Sequence, residues 1–313
     1  MKGYLYESSS FDPFWNLALE ESFGEWMRKE KALILYFWQN DRTVVIGRNQ
    51  NAYTECNLEY IRAHRITVAR RKTGGGAVYH DLGNLNYSVI LPIEEYDKQR
   101  STRAVVSGLH KAGIPAEVNG RNDILLGGKK ISGNAYYSDA FMGLHHGTIL
   151  FDVDLDVMTQ ALKVSGAKLA KRGIQSVRSR VANLRGLCPQ AAMETVKKAI
   201  TDSFREEYAA EFEPGIPIDP NRVEALRAKY RSREWVYDKI KDYGETHLIE
   251  ADGFLLTVSM ECSGAYVRRI SLASDSLDPD RIERKERILN ETIAREAAPA
   301  PETVLNMVKE ALT

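Results

Sequence analysis

The stretch RRKTGGGAVYHDLGN (residues 70–84) decides how this sequence is interpreted. Its three consecutive glycines separate a strand pattern that ends at Arg70 from a second strand pattern that follows them. A phosphate-binding P-loop would need GxxxxGK and Ser or Thr before a helix, and a dinucleotide fingerprint would need GxGxxG opening a helix. Neither applies, because a strand follows the glycines and Tyr79 occupies the position of the last glycine.

Two interpretations of this glycine loop remain. Bare backbone lets N–H groups approach a ligand closely, and Arg70, Arg71 and Lys72 could neutralise an anion there. The alternative is a glycine-rich bulge between two strands, with a purely structural role. The loop alone does not distinguish these interpretations.

Composition excludes several classes of protein. The 313 residues carry 43 basic and 43 acidic side chains, so there is no charge excess of the kind that general nucleic-acid or anionic-membrane binding requires. Because no secretory signal or membrane-spanning run is evident, we expect a cytoplasmic protein. Cys56, Cys188 and Cys262 lie far apart, which favours three small buried residues over a disulfide framework or a zinc site.

The order of apolar patterns predicts an α+β protein with two domains. A helix is expected from Pro13, capped by Asp12, and another over residues 190–213. The apolar runs 33–38 and 43–46, joined by polar QND, predict a hairpin. Strands followed by helices near the C-terminus place a boundary near residue 245, which gives domains 1–245 and 246–313.

Further polar groups fall on predicted strands downstream of the loop. The segment GRNDILLGGKKISGNAYY (residues 120–137) contains two lysines in a glycine-flanked turn, and LHHGTILF (144–151) follows. Adjacent histidines on a strand point to opposite faces, so His145 is expected in the core, whereas His146 and Thr148 share a face. These side chains could converge on one cleft.

At this point the sequence resembles a known family, lipoate-protein ligase. The resemblance rests on RRKTGGGAVYHDLGNLNYSVI (70–90), GRNDILLGGKKISGNAY (120–136), HHGTIL (145–150), GIQSVRSRVANL (173–184) and, in the small domain, SDSLDP (274–279). It implies a large, mainly antiparallel mixed sheet flanked by helices, as in biotin ligases and class II synthetases, with a small C-terminal accessory domain. It also implies a reaction in which ATP and Mg²⁺ convert lipoate to lipoyl-AMP. The lipoyl group then passes to a lysine of a carrier domain, in 2-oxoacid dehydrogenase E2 or glycine cleavage H protein.

The same resemblance implies roles for individual residues. Lys130 would be the catalytic cation, bridging the acyl oxygen and the α-phosphate, while Lys129 is expected to be an ordinary solvated lysine. The lipoate and adenylate would be bound by Arg71, Thr73, Gly74, Gly75, Gly76, Val78, Asn122, Asp123, Ser132, His146 and Thr148, with apolar wall from Leu17 and Trp38. Asp123 would also orient Mg²⁺, and Arg178 and Arg180 would belong to an adenylate-binding loop. From the residues alone, Asp123 could equally cap a strand, and Leu17 and Trp38 could be core.

Two rival functions remain open. An ATP-independent octanoyl or lipoyl transferase of the same fold would work through a cysteine acyl-enzyme, but none of the cysteines adjoins the motif blocks. A non-catalytic module could bind RNA through the basic segment 167–185, although no aromatic residue is interleaved there. We expect a monomer without nucleic-acid or membrane partners. The preferred acid, lipoate or octanoate, and the modified carrier stay open.

Overall fold

The computed structural model describes residues 1–120, 122–163, 181–216, 218–251, 253–295 and 299–312. The strands are β1 (Lys2–Glu7), β2 (Leu33–Trp38), β3 (Thr43–Ile46), β4 (Thr67–Arg70), β5 (Val78–His80), β6 (Asn84–Pro92), β7 (Glu117–Asn119), β8 (Asp123–Leu126), β9 (Lys129–Ser138), β10 (Met142–Leu150), β11 (Glu211–Pro214), β12 (Glu245–Ala251), β13 (Phe254–Ser263) and β14 (Tyr266–Ser274). The helices are α1 (Pro13–Trp26), α2 (Ala52–Glu55), α3 (Leu58–Ala63), α4 (Lys98–Lys111), α5 (Leu155–Ala161), α6 (Leu184–Leu187), α7 (Met193–Glu207), α8 (Pro220–Arg231), α9 (Arg233–Val236), α10 (Pro279–Arg295) and α11 (Pro301–Leu312). None of the helices in these ranges has the length and apolarity needed to cross a membrane.

An eight-stranded sheet forms the centre of the molecule, in the order β11-β1-β2-β6-β10-β9-β8-β7. β1 is parallel to both β11 and β2, and every other neighbouring pair is antiparallel. The predicted α+β class with a mixed, mainly antiparallel sheet is therefore confirmed.

Helices cover both faces of this sheet. Alternate residues of β2 enter two apolar clusters: Leu33 and Leu35 pack with α4 and α7, and Ile34 and Tyr36 pack with α1 and α8. Successive strand residues point to opposite faces, so a strand covered on both sides is apolar throughout, as β2 is. Asp12 caps α1 as predicted, accepting a hydrogen bond from the Phe14 N–H at 2.9 Å.

The predicted hairpin of β2 and β3 is wrong. β2 lies between β1 and β6, whereas β3 lies in a separate three-stranded sheet, parallel to β4 and antiparallel to β5. The connection between the two strands is held by Asn16 of α1, whose Nδ2 donates to the Gln39 carbonyl at 2.8 Å and to Asn40 Oδ1 at 3.0 Å. Gln39 and Asn40, which were expected to form the turn, are instead hydrogen-bonded to α1. The chain therefore passes from the central sheet to the three-stranded sheet at this point.

Arg70 joins three segments of the large domain through backbone carbonyls. Its side chain is fully buried, and Nη1 donates to the carbonyls of residues 47, 48 and 50. Nε donates to the carbonyl of residue 235 and Nη2 to the carbonyl of residue 236, both in α9 and both at 2.7 Å. Burial lowers the pKa of Arg70 to about 10, which leaves the guanidinium charged at neutral pH. The expectation that Arg70 could neutralise a bound anion is therefore wrong.

The C-terminal strands and helices have an apolar cluster of their own. β12, β13 and β14 form an antiparallel sheet, and α10 and α11 pack against it. This part contacts the rest of the chain through Arg48, which donates to Glu283 and Asp280, and through Asn49, which donates to the Pro279 carbonyl at 2.8 Å. The predicted domain boundary near residue 245 stays a prediction; β12 begins there.

Candidate active site

A cavity of about 140 Å³ lies over the central sheet. The predicted site residues that line it are Leu17, Trp38, Arg71, Gly75, Gly76, Val78, Asn122, Lys130, His146 and Thr148. Four predicted residues stand behind or beside its wall, namely Thr73, Gly74, Asp123 and Ser132. The structure therefore brings together side chains from helix α1, five strands and the glycine loop.

Strand register explains this convergence. Trp38 of β2 lies opposite Asn86 of β6, which lies opposite Thr148 of β10, and the Thr148 hydroxyl accepts a hydrogen bond from the Gly133 N–H of β9 at 3.2 Å. This row crosses three strand spacings, about 14 Å in all. Leu17 and Trp38 both line the cavity and belong to the same apolar cluster, while Lys130 on β9 supplies a positive charge to the cavity lining.

The glycine loop is a loop between β4 and β5 and not a bulge within a strand. Each glycine has a different reason to lack a side chain. A Cβ at Gly74 would lie 2.2 Å from the Ser276 carbonyl oxygen. Gly75 has φ +90°, and its N–H donates to that same oxygen at 2.8 Å. Gly76 has no heavy atom within 4 Å of a Cβ position and faces the cavity.

Arg71 organises this loop from inside. Nη2 donates to the carbonyls of Gly74 at 2.6 Å and Gly76 at 2.8 Å, and Nε donates to Thr73 Oγ1 at 3.1 Å. The side chain is buried, and burial lowers its pKa to about 10. The geometry assigns Arg71 the task of fixing the loop; direct contact with lipoate stays a prediction. Lys72, the remaining cation of the loop, lies 3.8 Å from Glu21 and outside the cavity lining.

Lys130 forms an ion pair with Asp123 at the cationic end of the cavity. The distance from Nζ to Oδ1 is 2.6 Å, and the two side chains are 31% and 36% exposed. Gly133 makes room for this ammonium group, since a Cβ there would lie 3.1 Å from Nζ. Asn122 beside Asp123 is fixed by donating Nδ2 to the Asn134 carbonyl at 3.0 Å. The arrangement presents a partly exposed, ion-paired cation with hydrogen-bonding groups next to it.

His146 connects the loop to helix α1. Its Nε2 is 2.8 Å from Thr73 Oγ1, and its Nδ1 is 2.9 Å from Glu20 Oε1. Ser88 donates its hydroxyl to the same Glu20 oxygen at 2.5 Å and accepts from the Trp38 indole at 3.0 Å. Glu20 was not predicted as a site residue, because a glutamate in an amphipathic helix usually faces solvent. Here it is buried and holds the histidine in place.

His145 is a core residue, as predicted. It is fully buried, with Nδ1 2.7 Å from Ser101 Oγ and Nε2 2.8 Å from Asn134 Oδ1. Burial lowers the pKa of His145 to about 3, so this imidazole is neutral at physiological pH.

The cysteines stand apart from the cavity. Cys56 and Cys188 are buried elsewhere, as predicted, and burial raises the pKa of Cys56 to about 12. Cys262 is exposed on β13, so its expected burial is wrong. A nucleophilic thiolate needs a lowered pKa and access to the acyl carbonyl, and none of the three has both.

Other cavity residues were missed in the sequence. They include Val45, Ala77, His80, Asn86, Asn134 and Ala135. For Asn86 a signal existed: Asn84, Asn86 and Ser88 alternate with apolar residues along β6, and all nine residues of that strand are buried. A polar stripe on a buried strand indicates a polar cavity or network.

The adenylate-loop prediction for Arg178 and Arg180 lies outside the described residues. The described chain ends on one side at Lys163, whose N–H donates to the Glu55 carbonyl at 2.9 Å, and resumes at Val181, which bridges to Lys130. Among the described residues, no group of three His, Cys, Asp or Glu side chains is arranged to hold a metal ion.

The glycine loop lies against a cavity that contains a lysine at one end, and comparison with known proteins identifies the class of enzyme to which this site belongs. A family model described as the lipoyl protein ligase A/B catalytic domain matches residues 12–205. The bi-partite lipoate protein ligase of Thermoplasma acidophilum is 31% identical, with a TM-score of 0.69 over 78% of this chain and 100% of that chain. The chain belongs to the lipoyl protein ligase A/B family and is an enzyme of lipoyl ligation or transfer.

Two further structures are similar. A lipoate-protein ligase A bound with ATP is 31% identical, with a TM-score of 0.64 over 75% of this chain and 98% of that chain. P. falciparum LipL1 in complex with lipoate is 24% identical, with a TM-score of 0.78 over 98% of both chains. The last match extends the shared fold over the C-terminal part.

Proposed function

We propose that this chain is an ATP-dependent lipoate-protein ligase. It activates lipoate as lipoyl-AMP and transfers the lipoyl group to a lysine of a carrier domain. The observation that carries this proposal is the Lys130–Asp123 pair at one end of a cavity that the apolar side chains of Leu17 and Trp38 line at the other. That polarity suits a carboxylic acid with a hydrophobic tail. Similar structures hold ATP in one case and lipoate in another.

In the first step, a carboxylate oxygen of lipoate attacks the α-phosphorus of ATP and pyrophosphate leaves. Two anions meet in this step, so cations and N–H groups must screen them. Lys130 supplies the positive charge at the cavity end, and Gly75 and Gly76 line the same cavity with bare backbone. Arg71 keeps that backbone in a fixed conformation, so the loop N–H groups need little rearrangement when negative charge develops on the reacting groups.

In the second step, the neutral amine of a carrier lysine attacks the acyl carbonyl carbon. The bond from that carbon to the AMP oxygen breaks, AMP leaves, and the amine loses a proton to solvent. Lys130 stabilises the oxyanion that forms. Because AMP is already a good leaving group, the route needs no thioester on the enzyme.

The side chain suited to Mg²⁺ is Asp123. Mg²⁺ usually binds one or two carboxylates together with substrate phosphates and keeps several waters. Asp123 has one oxygen engaged by Lys130 and is partly exposed, which fits that mode better than a closed protein cage. The ion would supply charge neutralisation at the phosphates.

The carriers we propose are the lipoyl domains of 2-oxoacid dehydrogenase E2 and the glycine cleavage H protein. The Thermoplasma ligase was studied with its E2 lipoyl domain, which supports the first of these. We further propose a cytoplasmic monomer that binds no nucleic acid, with residues 246–313 as an accessory domain.

Mass spectrometry tests the proposal. A recombinant E2 lipoyl domain is incubated with the chain, lipoate, ATP and Mg²⁺, and pyrophosphate is measured in parallel. We expect one lipoyl group per carrier, and no product when ATP is omitted. Product from a donor carrier without ATP would instead support the transferase.

A further inference from the structure

A β-bulge between β8 and β9 brings Lys130 to the same face of the sheet as Asp123. Asp123 lies opposite Gly133, and Leu125, two residues further along β8, lies opposite Lys130. In a regular strand Lys130 and Gly133, three residues apart, would point to opposite faces. The extra residue in β9 puts both on one face, as bulges near active sites often do. Lys130 can therefore pair with Asp123 at 2.6 Å.

Three hydrogen bonds between Asn122 and Asn134 hold the two strands together beside this bulge. The Asn134 N–H and Nδ2 both donate to the Asn122 carbonyl, at 2.8 and 3.0 Å, and Asn122 Nδ2 donates to the Asn134 carbonyl at 3.0 Å. A bulge disrupts the ladder locally, and a slip of one residue would turn every side chain to the other face. These bonds therefore fix the register of Asp123, the next residue, relative to Lys130.

The Asn134 side chain also belongs to a buried polar network that reaches helix α4. Gly147 of β10 lies between Tyr87 and Asn134 in the sheet, and a Cβ there would lie 2.4 Å from the Tyr87 hydroxyl and 2.6 Å from Asn134 Oδ1. The missing side chain lets the Tyr87 hydroxyl donate to Asn134 Oδ1. His145 Nε2 lies 2.8 Å from the same oxygen. Two neighbouring strands thus hold the Asn134 amide.

The directions of the hydrogen bonds in this network are fixed. Because Asn134 Nδ2 donates to a carbonyl, the Asn134 Oδ1 is an acceptor. The His145 ring is neutral, since burial lowers its pKa to about 3, so Nε2 carries the proton donated to Asn134. The ring Nδ1 then accepts from the Ser101 hydroxyl of α4 at 2.7 Å. The amide of Asn134 is therefore held in one orientation, with both of its ends engaged.

We propose that Asn134, oriented by His145, is a positioning residue for Lys130. It acts through the Asn122 backbone, which sets where Asp123 meets the Lys130 ammonium group. This inference rests on the proposed function, in which Lys130 stabilises charge on the reacting groups. A displacement of about 1 Å can lower a rate as much as about a hundredfold. Loss of the network should therefore slow adenylation far more than it weakens lipoate binding, to which Leu17 and Trp38 contribute apolar wall.

Pyrophosphate formation at saturating lipoate, ATP and Mg²⁺ tests the inference on the full chain, with lipoate affinity measured by calorimetry. Asn134→Leu removes the amide and keeps a side chain of similar size. His145→Leu removes the donor to Asn134, whereas His145→Gln keeps an N–H donor near the position of Nε2. Ser203→Ala is the matched control, because it removes another buried hydrogen bond, to the Ala104 carbonyl at 2.8 Å, outside the network. Thermal unfolding reports whether each variant is folded.

We expect Asn134→Leu and His145→Leu to lower the turnover about tenfold or more, with lipoate affinity within about threefold of the unaltered value. His145→Gln should regain most of the turnover. Ser203→Ala should lower the melting temperature and leave the turnover near that of the unaltered chain. In an Asp123→Ala background, Asn134→Leu should lower the turnover by about twofold or less, because its effect passes through Asp123.

The possible failures are distinguishable. Unchanged turnover in both leucine variants, or an equally large loss when Asp123 is already replaced, would overturn the inference and leave the proposed function standing. Absence of pyrophosphate from the unaltered chain would overturn the proposed function and this inference with it. If Asn134→Leu does not fold, the turnover of His145→Leu relative to His145→Gln decides the question.

Discussion

Replacing Gly74 by alanine should destabilise the protein, although the loop is close to the surface of the catalytic cavity. The new Cβ would lie 2.2 Å from the Ser276 oxygen and 3.0 and 3.1 Å from two backbone atoms of Leu277. Backbone cannot rotate away as a flexible side chain can, so the two segments must separate by about 1 Å or more. Overpacking of this kind costs about 1–3 kcal/mol. The shift also weakens the hydrogen bond from the Gly75 N–H to Ser276.

Gly76→Ala is the matched control, because it adds the same methyl group two residues away where no heavy atom lies within 4 Å. Its free energy of unfolding should stay within about 0.5 kcal/mol of the unaltered value. Urea unfolding followed by circular dichroism measures both variants. Equal stability of the two variants would refute the claim that Gly74 serves close packing against residues 276–277.

The remaining predictions concern chemistry and charge. Lys130→Ala should lower the rate of carrier lipoylation about a hundredfold or more, while Lys129→Ala should leave the rate near that of the unaltered chain. Equal and mild losses of rate in the two variants would contradict the assignment of Lys130 as the catalytic cation. Replacing all three cysteines by serine or alanine should leave ATP-dependent lipoylation largely intact, and mass spectrometry should find no acyl thioester on the unaltered chain. Burial raises the pKa of Glu283, but hydrogen bonds from Lys239 and Arg48 outweigh it, so the net shift is downward. The Glu283 carboxylate therefore contributes stability above its unfolded pKa of about 4.3, and this is lost as the pH falls through the lower folded value. Glu283→Gln should cost about 1 kcal/mol or less at pH 7, with the difference vanishing in acid; a difference that does not change with pH would contradict this.

The sequence allowed much of the site to be predicted, because its signals are local. Glycines between two strand patterns locate the loop without knowledge of the fold. The role of Lys130 was implied by the family resemblance, because a lysine in a glycine-flanked turn by itself indicates only a solvated side chain. Because successive residues of a strand point to opposite faces, His145 was predicted to lie in the core and His146 on the other face. The structure confirms both, since His145 is fully buried and His146 lines the cavity.

What could not be predicted depends on contacts between distant segments. β2 and β3 form no hairpin, since Asn16, more than 20 residues earlier, holds the connection between them. The helix expected over residues 190–213 ends at Glu207. Ala209 then adopts φ +45°, and β11 pairs with β1 at the other end of the chain. Glu20 joins the site only because helix α1 packs on that face of the sheet.

The Arg70 side chain donates hydrogen bonds only to backbone carbonyls, and this affects how its neighbours can vary among related sequences. The acceptors of this guanidinium are carbonyl groups, which every amino acid possesses, so the residues that surround it can change identity without altering the interaction. Methods that detect contacts through correlated substitutions between positions would find no partner for Arg70, despite five hydrogen bonds. We expect relatives to retain arginine at this position while residues 48, 50, 235 and 236 vary independently of it.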